Sequence, residues 1–269
     1  MEKLIITIAP TGNVPEKSMT PHVPVTPDEI AADIVACYQQ GAAVAHIHAR
    51  DEAGKPTAAL TYFAEIIQKI DQAGCPIIKQ ISTGARAGKT AEARAEALIL
   101  KPDSASLATG SSNFPHSANL NEPSLIEYLA KTMLDNKIKP EIEVFDAAMI
   151  SNAVALRKRG YLTGRLQFNL VLGVKGSLPA TPKNLFFLVE SLPPDSIWSV
   201  SIVGAQHVNL SVMAMALGGH VRVGVEDNMY YSKGVLATNV ALVERIAAIA
   251  NAMGREFATP ADVRRIWGI

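Results

Sequence analysis

Apolar and polar positions alternate along the chain in two rhythms. Short runs rich in β-branched and apolar residues recur at 4–9, 42–49, 76–82, 104–109, 141–146, 165–172, 196–203 and 220–226. Each reads as a strand. Segments of helical period lie between them. One opens at "TPDEIAADIVACYQQG", where Thr26 can cap, Pro27 suits the first helical position and Gly41 stops the helix. The others are "AEARAEALIL", "EPSLIEYLAKTMLDN", "DAAMISNAVALRKRG", "TPKNLFFLVESL", "VNLSVMAMALGG" and "GVLATNVALVERIAAIANAMG". Strands alternating with helices over about 250 residues predict an α/β fold of the (β/α)8 TIM-barrel type. A doubly wound open sheet is the alternative. Against it, "TIAPTGNVPEK" is not a G-x-G-x-x-G fingerprint, and no Walker A motif follows any strand. The expectation is one barrel domain over residues 1–269, with "ATPADVRRIWGI" as a short C-terminal helical extension.

Strand parity sharpens this picture. Successive residues of a strand point to opposite faces. Val44, His46 and His48 share one face, Gln80 and Ser82 another, and Ser104 pairs with Ser106. Glu141 goes with Glu143, Gln167 with Asn169, and Ser199 with Ser201. Arg222, Gly224 and Glu226 oppose Val221, Val223 and Val225. One face of nearly every late strand is therefore polar. Ser and Gln inside a barrel can satisfy one another. Glu143, Arg222, Glu226 and two histidines cannot be left unpaired in a dry interior. Barrel active sites form at the C-terminal strand ends, where His46, His48, Ser82, Ser106, Glu143 and Glu226 fall.

Composition narrows the classes. The 269 residues are 48% hydrophobic and 19% charged, with net charge +0 and no basic run. That argues against nucleic acid as a partner. Cys37 and Cys75 sit in apolar contexts without finger spacing, and read as buried thiols of a reducing compartment. "MEKLIITIAP" enters a strand with no secretory signal, and every long apolar tract is broken by charge or turn residues. No membrane partner and a cytoplasmic location are expected.

His-x-His at a strand end aims two rings at one point. Zinc takes imidazole and carboxylate ligands, and a catalytic site needs three plus an open position. The eighth strand lies two places from the second, across the first, so Glu226 can complete a set with His46 and His48. Zinc leads, and manganese, iron or cobalt suit the same donors. Without a metal, H-x-H is simply a hydrogen-bonded pair. Asp227 follows Glu226, and Arg222 precedes it by four. The Asp–Arg pair is either a buried salt bridge or, beside a metal, a base that takes a proton from carbon or oxygen. "QISTGAR" and "LATGSSNF" end strands with Ser/Thr then Gly, either ordinary turns or a nest for a carboxylate. His116 and His207 follow strands four and seven and read as surface or structural residues. Arg50 and Asp51 read as an ion pair bracing the loop behind His48.

Together "APTGNVP", "HIHARDEAGKPT", "QISTG", "SLATGSSNF", "EIEVFD" and "GGHVRVGVEDNMY" resemble the β-keto acid cleavage enzymes, over essentially the whole chain. The founding activity of that family is 3-keto-5-aminohexanoate cleavage. The resemblance implies a zinc-dependent barrel with one zinc per chain, a homotetramer, and acetyl-CoA as co-substrate. The reaction gives acetoacetate and a shortened acyl-CoA from a β-keto acid. By the same resemblance His46, His48 and Glu226 are the metal ligands. Asp227, steered by Arg222, is the base that takes a proton from the acetyl group, and the carbanion then attacks the keto carbon. Ser82, the Thr83–Gly84 amides and Ser106 hold the substrate carboxylate, and Glu143 orients a ligand or substrate group. In the founding activity an acid after the first strand's "TG" serves the substrate amino group. Asn13 and Val14 stand there instead. With Asn13 lining the substrate site, the expectation is a neutral or carboxylate-bearing β-keto acid.

Two other functions use similar parts. An amidohydrolase-like metal hydrolase wants His-x-His on strand one and further histidines on strands five and six. Neither "EIEVFD" nor "RLQFNLVL" supplies one. A metal-dependent lyase or aldolase would cleave a keto acid with acetyl-CoA omitted.

Overall fold

The computed structural model describes residues 2–84, 86–114 and 117–269. Eight parallel strands close into a barrel. They are β1 Ile6–Ile8, β2 Val44–Ile47, β3 Ile78–Ile81, β4 Ser104–Ala108, β5 Lys139–Val144, β6 Gln167–Leu172, β7 Ile197–Ile202 and β8 His220–Val223. The ring runs β1-β8-β7-β6-β5-β4-β3-β2, which sets β8 and β2 on either side of β1 as expected for a closed eight-stranded barrel. The helices are α1 Pro27–Gln39, α2 Leu60–Gln72, α3 Ala91–Ala95, α4 Pro123–Asp135, α5 Ala147–Lys158, α6 Pro182–Ser191, α7 His207–Ala216, α8 Asn239–Ala252 and α9 Pro260–Trp267. Among the described residues none is long and apolar enough to cross a membrane.

Local chemistry sets the helix ends. Thr26 caps α1 in a reciprocal capping box with Glu29, and Pro27 takes the first position. Thr181, Thr238 and Thr259 cap α6, α8 and α9 with their hydroxyls. Outward strand residues such as Ile6, Ile47, Leu107 and Phe168 pack with Ile30, Phe63 and Leu129 of the helices in one continuous apolar layer.

Three details depart from the sequence reading. Helix α2 has no counterpart in it. Residues 91–100 form five α-helical residues followed by a 3-10 turn over Glu96–Leu100. The segment at 234 begins with Val235–Leu236 paired in a hairpin to Tyr230–Ser232, and α8 starts only at Asn239. Similar hairpins, Ala49–Arg50 with Pro56–Thr57 and Ser112–Asn113 with Ala118–Asn119, rise from the loops after β2 and β4.

The barrel interior has two storeys. At the N-terminal end of the strands Ile5, Val44, Ile78 and Ile197 meet Val263, Ile266 and Trp267 of α9. This plug floors the barrel. Above it the polar face predicted from parity forms lateral hydrogen bonds, because parallel partners in register present their side chains side by side. Gln80 is paired with His46 on one side and Ser104 on the other. Its Nε2 donates to Ser104 Oγ at 3.2 Å, and Ser104 donates to the Lys139 carbonyl at 2.7 Å. Gln167 donates to Glu141 at 3.1 Å, and Ser201 to Asn169 at 2.9 Å. Burial is thereby made compatible with amides and hydroxyls.

Candidate metal centre and active site

Three side chains converge above these polar layers. His46 is the penultimate residue of β2, His48 follows the strand, and Glu226 comes from beyond β8. Strand β8 stops at Val223, so Glu226 does not continue the strand as its parity suggested. Gly224 turns the chain, and the amides of Asp227 and Asn228 bond back to its carbonyl at 3.1 and 2.9 Å. A side chain at Gly224 would put its Cβ 1.9 Å from the Ala9 carbonyl oxygen, so only glycine lets this turn press against β1. The turn swings both carboxylates, Glu226 and Asp227, onto Arg222.

His46 Nε2 and His48 Nε2 stand 3.2 Å apart. Glu226 Oε1 is 3.3 Å from the His48 nitrogen and 3.9 Å from that of His46. The Nδ1 of His46 donates to Gln80 Oε1 at 2.7 Å, and that of His48 to Asn13 Oδ1 at 3.1 Å. Each ring therefore carries its proton on Nδ1 and turns the Nε2 lone pair toward the other ring. Two facing lone pairs repel unless a cation lies between them. A proton is disfavoured there: burial, with Arg222 nearby, pushes His46 down to about 3. A tetrahedral metal with nitrogens at about 2.0–2.1 Å spaces them roughly 3.3 Å apart. The other Glu226 oxygen is buried without a partner. The donor set thus fits a divalent ion such as zinc, with Gln80 and Asn13 orienting the rings.

Arg222 organises the carboxylates. It donates from Nε and Nη2 to the two oxygens of Asp227, each at 3.0 Å, and from Nη2 to Glu226 at 2.7 Å. Glu143 lies 3.9 Å from its Nη1. Burial alone would raise Glu226, but Arg222 and the imidazoles outweigh it and hold the carboxyl well below its usual range. Burial wins at Asp227, which stays above the usual value despite Arg222. Burial, reinforced by the neighbouring acids, lifts Glu143 to about 7. One anion is thus kept for ligation, while a second, more basic carboxylate stands beside it.

A cavity of ≈ 580 Å³ opens over this cluster at the C-terminal end of the barrel. Asn13, Val14, His48, Ser82, Gly84, Glu143, Arg222, Glu226 and Asp227 line it. Thr83 and Ser106 do not. The Thr83 amide donates to Ser106 Oγ at 3.1 Å, and its hydroxyl to the Ser106 carbonyl at 2.7 Å. This pair supports the loop from beneath and leaves Ser82 and Gly84 as its exposed part. Asn13 lines the cavity and also orients His48, a second task the sequence reading lacked.

Arg50 and Asp51 form no ion pair. Buried Arg50 donates to the carbonyls of Gly12, Pro15 and Gly54, and Asp51 accepts from the amides of Ala53 and Lys55. The brace behind His48 is real but runs through backbone carbonyls. His207 is structural, its ring placed between the Gly204 carbonyl and Arg245. His116 lies outside the described residues. The sequence reading also missed Arg94, which donates to Thr83 and Leu120 carbonyls and to Asn121, and Arg86, which lines the cavity.

Comparison with known proteins identifies the family. Residues 3–269 match the beta-keto acid cleavage enzyme family. The 3-keto-5-aminohexanoate cleavage enzyme of Acetoanaerobium sticklandii is 42% identical, covering 100% of this chain and 99% of that protein. The 3-oxoadipate:acetyl-CoA acetyltransferase of Cupriavidus necator is 39% identical over 98% of this chain and 94% of its own length. Among solved structures, the ternary complex of ObcA with a C4-CoA adduct and oxalate superposes with TM-score 0.78 at 22% identity. It covers 93% of this chain and 68% of that one, a likeness of fold alone. The chain belongs to the beta-keto acid cleavage enzyme family.

Proposed function

With that membership as premise, we propose that the protein is a zinc-dependent transferase acting on a β-keto acid and acetyl-CoA. It releases acetoacetate and an acyl-CoA shortened by the carboxymethyl group. The observation that carries the reading is the raised carboxylate of Asp227, forked by Arg222 directly beside Glu226 of the ligand cluster. The substrate and co-substrate follow from the activities of the relatives. A zinc ion held by His46, His48 and Glu226 would polarise the keto carbonyl and make the adjacent C–H acidic.

Atom balance fixes where the proton comes from. Acetoacetate must take its methyl and keto carbons from acetyl-CoA and its carboxymethyl from the keto acid. The new C–C bond therefore joins C2 of the keto acid to the thioester carbonyl. That reverses the sequence-based expectation, in which the acetyl group lost the proton. Asp227 takes the proton from C2, and the carbanion displaces CoA thiolate. The thiolate attacks the original keto carbon and breaks its bond to C2. Asp227 then returns the proton to the departing acetoacetate carbanion. Ser82 and the Gly84 amide hold the carboxylate, and Glu143 orients the acyl portion. Nothing is oxidised or reduced.

The test is a panel of β-keto acids with acetyl-CoA, using zinc-loaded, chelated and His46→Ala protein, with carbonyl-labelled acetyl-CoA as tracer. Label in the keto carbon of acetoacetate, lost on chelation and in the variant, is expected. Cleavage without acetyl-CoA would replace this reading with an aldolase.

A further inference from the structure

One cation on the cavity wall is not used by the reaction above. Arg86 follows the Ser82–Gly84 loop and lines the cavity, partly buried. Its guanidinium carbon lies 4.4 Å from the centre of the Phe114 ring. Phe114 in turn stands edge-on to Phe145, another cavity residue, with ring centres 5.6 Å apart. The arginine is thus seated on an aromatic shelf rather than free in solvent.

Among the described residues Arg86 makes no salt bridge. The carboxylate whose field reaches it is Glu226, which is already held by Arg222 at 2.7 Å. The other cavity acids, Asp227 and Glu143, also face Arg222. A partly desolvated guanidinium without a counter-charge is costly, and the partner missing from the protein is supplied by the ligand. The cavity residues that follow β1 are Asn13 and Val14, both uncharged. No acid is placed there to neutralise a cationic substrate tail.

We propose that Arg86 is a specificity residue that receives a second carboxylate, so that the preferred substrate is a β-keto dicarboxylic acid. This rests on the reaction proposed above. The first carboxylate sits at Ser82 and Gly84, and the second, at the far end of the acyl chain, meets Arg86 against Phe114. The phosphates of CoA are the other anion available. They are separated from the thioester by the whole pantetheine arm, whereas Arg86 is close enough to the ligand cluster to feel Glu226. Lys175, exposed on the cavity rim, is better placed for phosphate.

The experiment compares 3-oxoadipate with 3-oxohexanoate, equal in length and differing in the terminal carboxylate, on zinc-loaded wild type, Arg86→Ala and Arg86→Lys. Wild type favours 3-oxoadipate. Arg86→Ala lowers kcat/KM for 3-oxoadipate about 10- to 100-fold, mainly through KM, and the preference collapses. Arg86→Lys restores part of it. Preference of the wild type for 3-oxohexanoate would overturn the proposal, as would equal losses on both substrates. So would a raised KM for acetyl-CoA with the preference unchanged, which would assign Arg86 to the CoA phosphates. A parallel measurement does not need turnover: adipate, but not hexanoate, raises the melting temperature of wild type, and Arg86→Ala abolishes the effect. If neither keto acid is cleaved, the reaction assignment fails, and the adipate shift still decides the role of Arg86.

Discussion

Replacing Gly12 by alanine separates the geometry of the proposed metal site from the stability of the fold. Gly12 has φ +61°, and an added Cβ would lie 2.4 Å from Glu226 Cγ and 2.9 Å from its Cβ. Carbon atoms settle at about 3.5–4.0 Å, so the overlap is roughly 1 Å. The backbone cannot retreat freely, because the Gly12 carbonyl accepts from buried Arg50 Nε at 3.0 Å. Glu226 must move instead. A metal ligand tolerates displacements of about 0.2 Å. We expect zinc affinity to fall on the order of 10- to 100-fold, the range seen when ligand orientation is disturbed. Gly74 provides the control, with φ +66° and nothing within 4 Å of its added Cβ. Both alanine variants bear the left-handed backbone cost of about 1–2 kcal/mol. Competition with a chromophoric chelator measures affinity, and calorimetry of the metal-free proteins measures stability. Gly12→Ala protein that binds zinc within twofold of wild type would refute the reasoning, as would an equal loss of affinity in Gly74→Ala.

Three further outcomes are expected. Burial raises Asp33 to about 6, so its stabilising contribution is present below the unfolded value of 3.8 and is lost as pH rises through 6. Asp33→Asn should therefore gain about 1–2 kcal/mol at pH 7.5, after allowance for partial exposure, and nothing at pH 3.5; urea titrations at both pH values check this. His220 is buried and lowered to about 3, chiefly by burial, with its Nδ1 accepting from the Ile5 amide. Its neutral form is fully accommodated above the unfolded value of 6.5, and stability is lost as pH falls toward 3. His220→Asn should flatten the acid limb by about one proton, roughly 1.4 kcal/mol per pH unit, and an unchanged slope between pH 4 and 6 would be the contrary result. Trp267→Ala removes the centre of the barrel floor and should cost about 3–5 kcal/mol in urea unfolding, whereas a loss under 1 kcal/mol would mean that α9 is not structurally coupled to the barrel.

The barrel was legible because each strand alternates so cleanly. Polar residues share one parity in β4 through β8, only Lys79 breaks it in β3, and the observed registers keep Gln80 beside Ser104 and Gln167 beside Glu141. Helix α2 escaped although Phe63, Ile66 and Ile70 bury at helical spacing. It lacks the start signal that marked α1: Ala59 caps it without a side-chain hydrogen bond, and no proline follows. The cluster of His46, His48 and Glu226 was reached from strand parity, yet Glu226 arrives by a glycine turn that happens to preserve the facing. What parity could not reveal is hydrogen-bond direction. That Asn13 and Gln80 fix the imidazole protons, that Arg50 reads carbonyls, and that Thr83 and Ser106 bind each other depends on contacts between distant loops. Arg86 was equally silent, since an arginine in a turn shows its missing partner only once its surroundings are known.

Among the described residues, the apolar floor built from α9 closes the barrel at the end opposite the cavity. A molecule seated against His48 has this floor behind it, so whatever fills the outer cavity stands over it like a stopper. Two reactants sharing this space must queue, the deeper one entering first and leaving last. A bulky inhibitor lodged at the rim would therefore imprison the inner occupant rather than displace it.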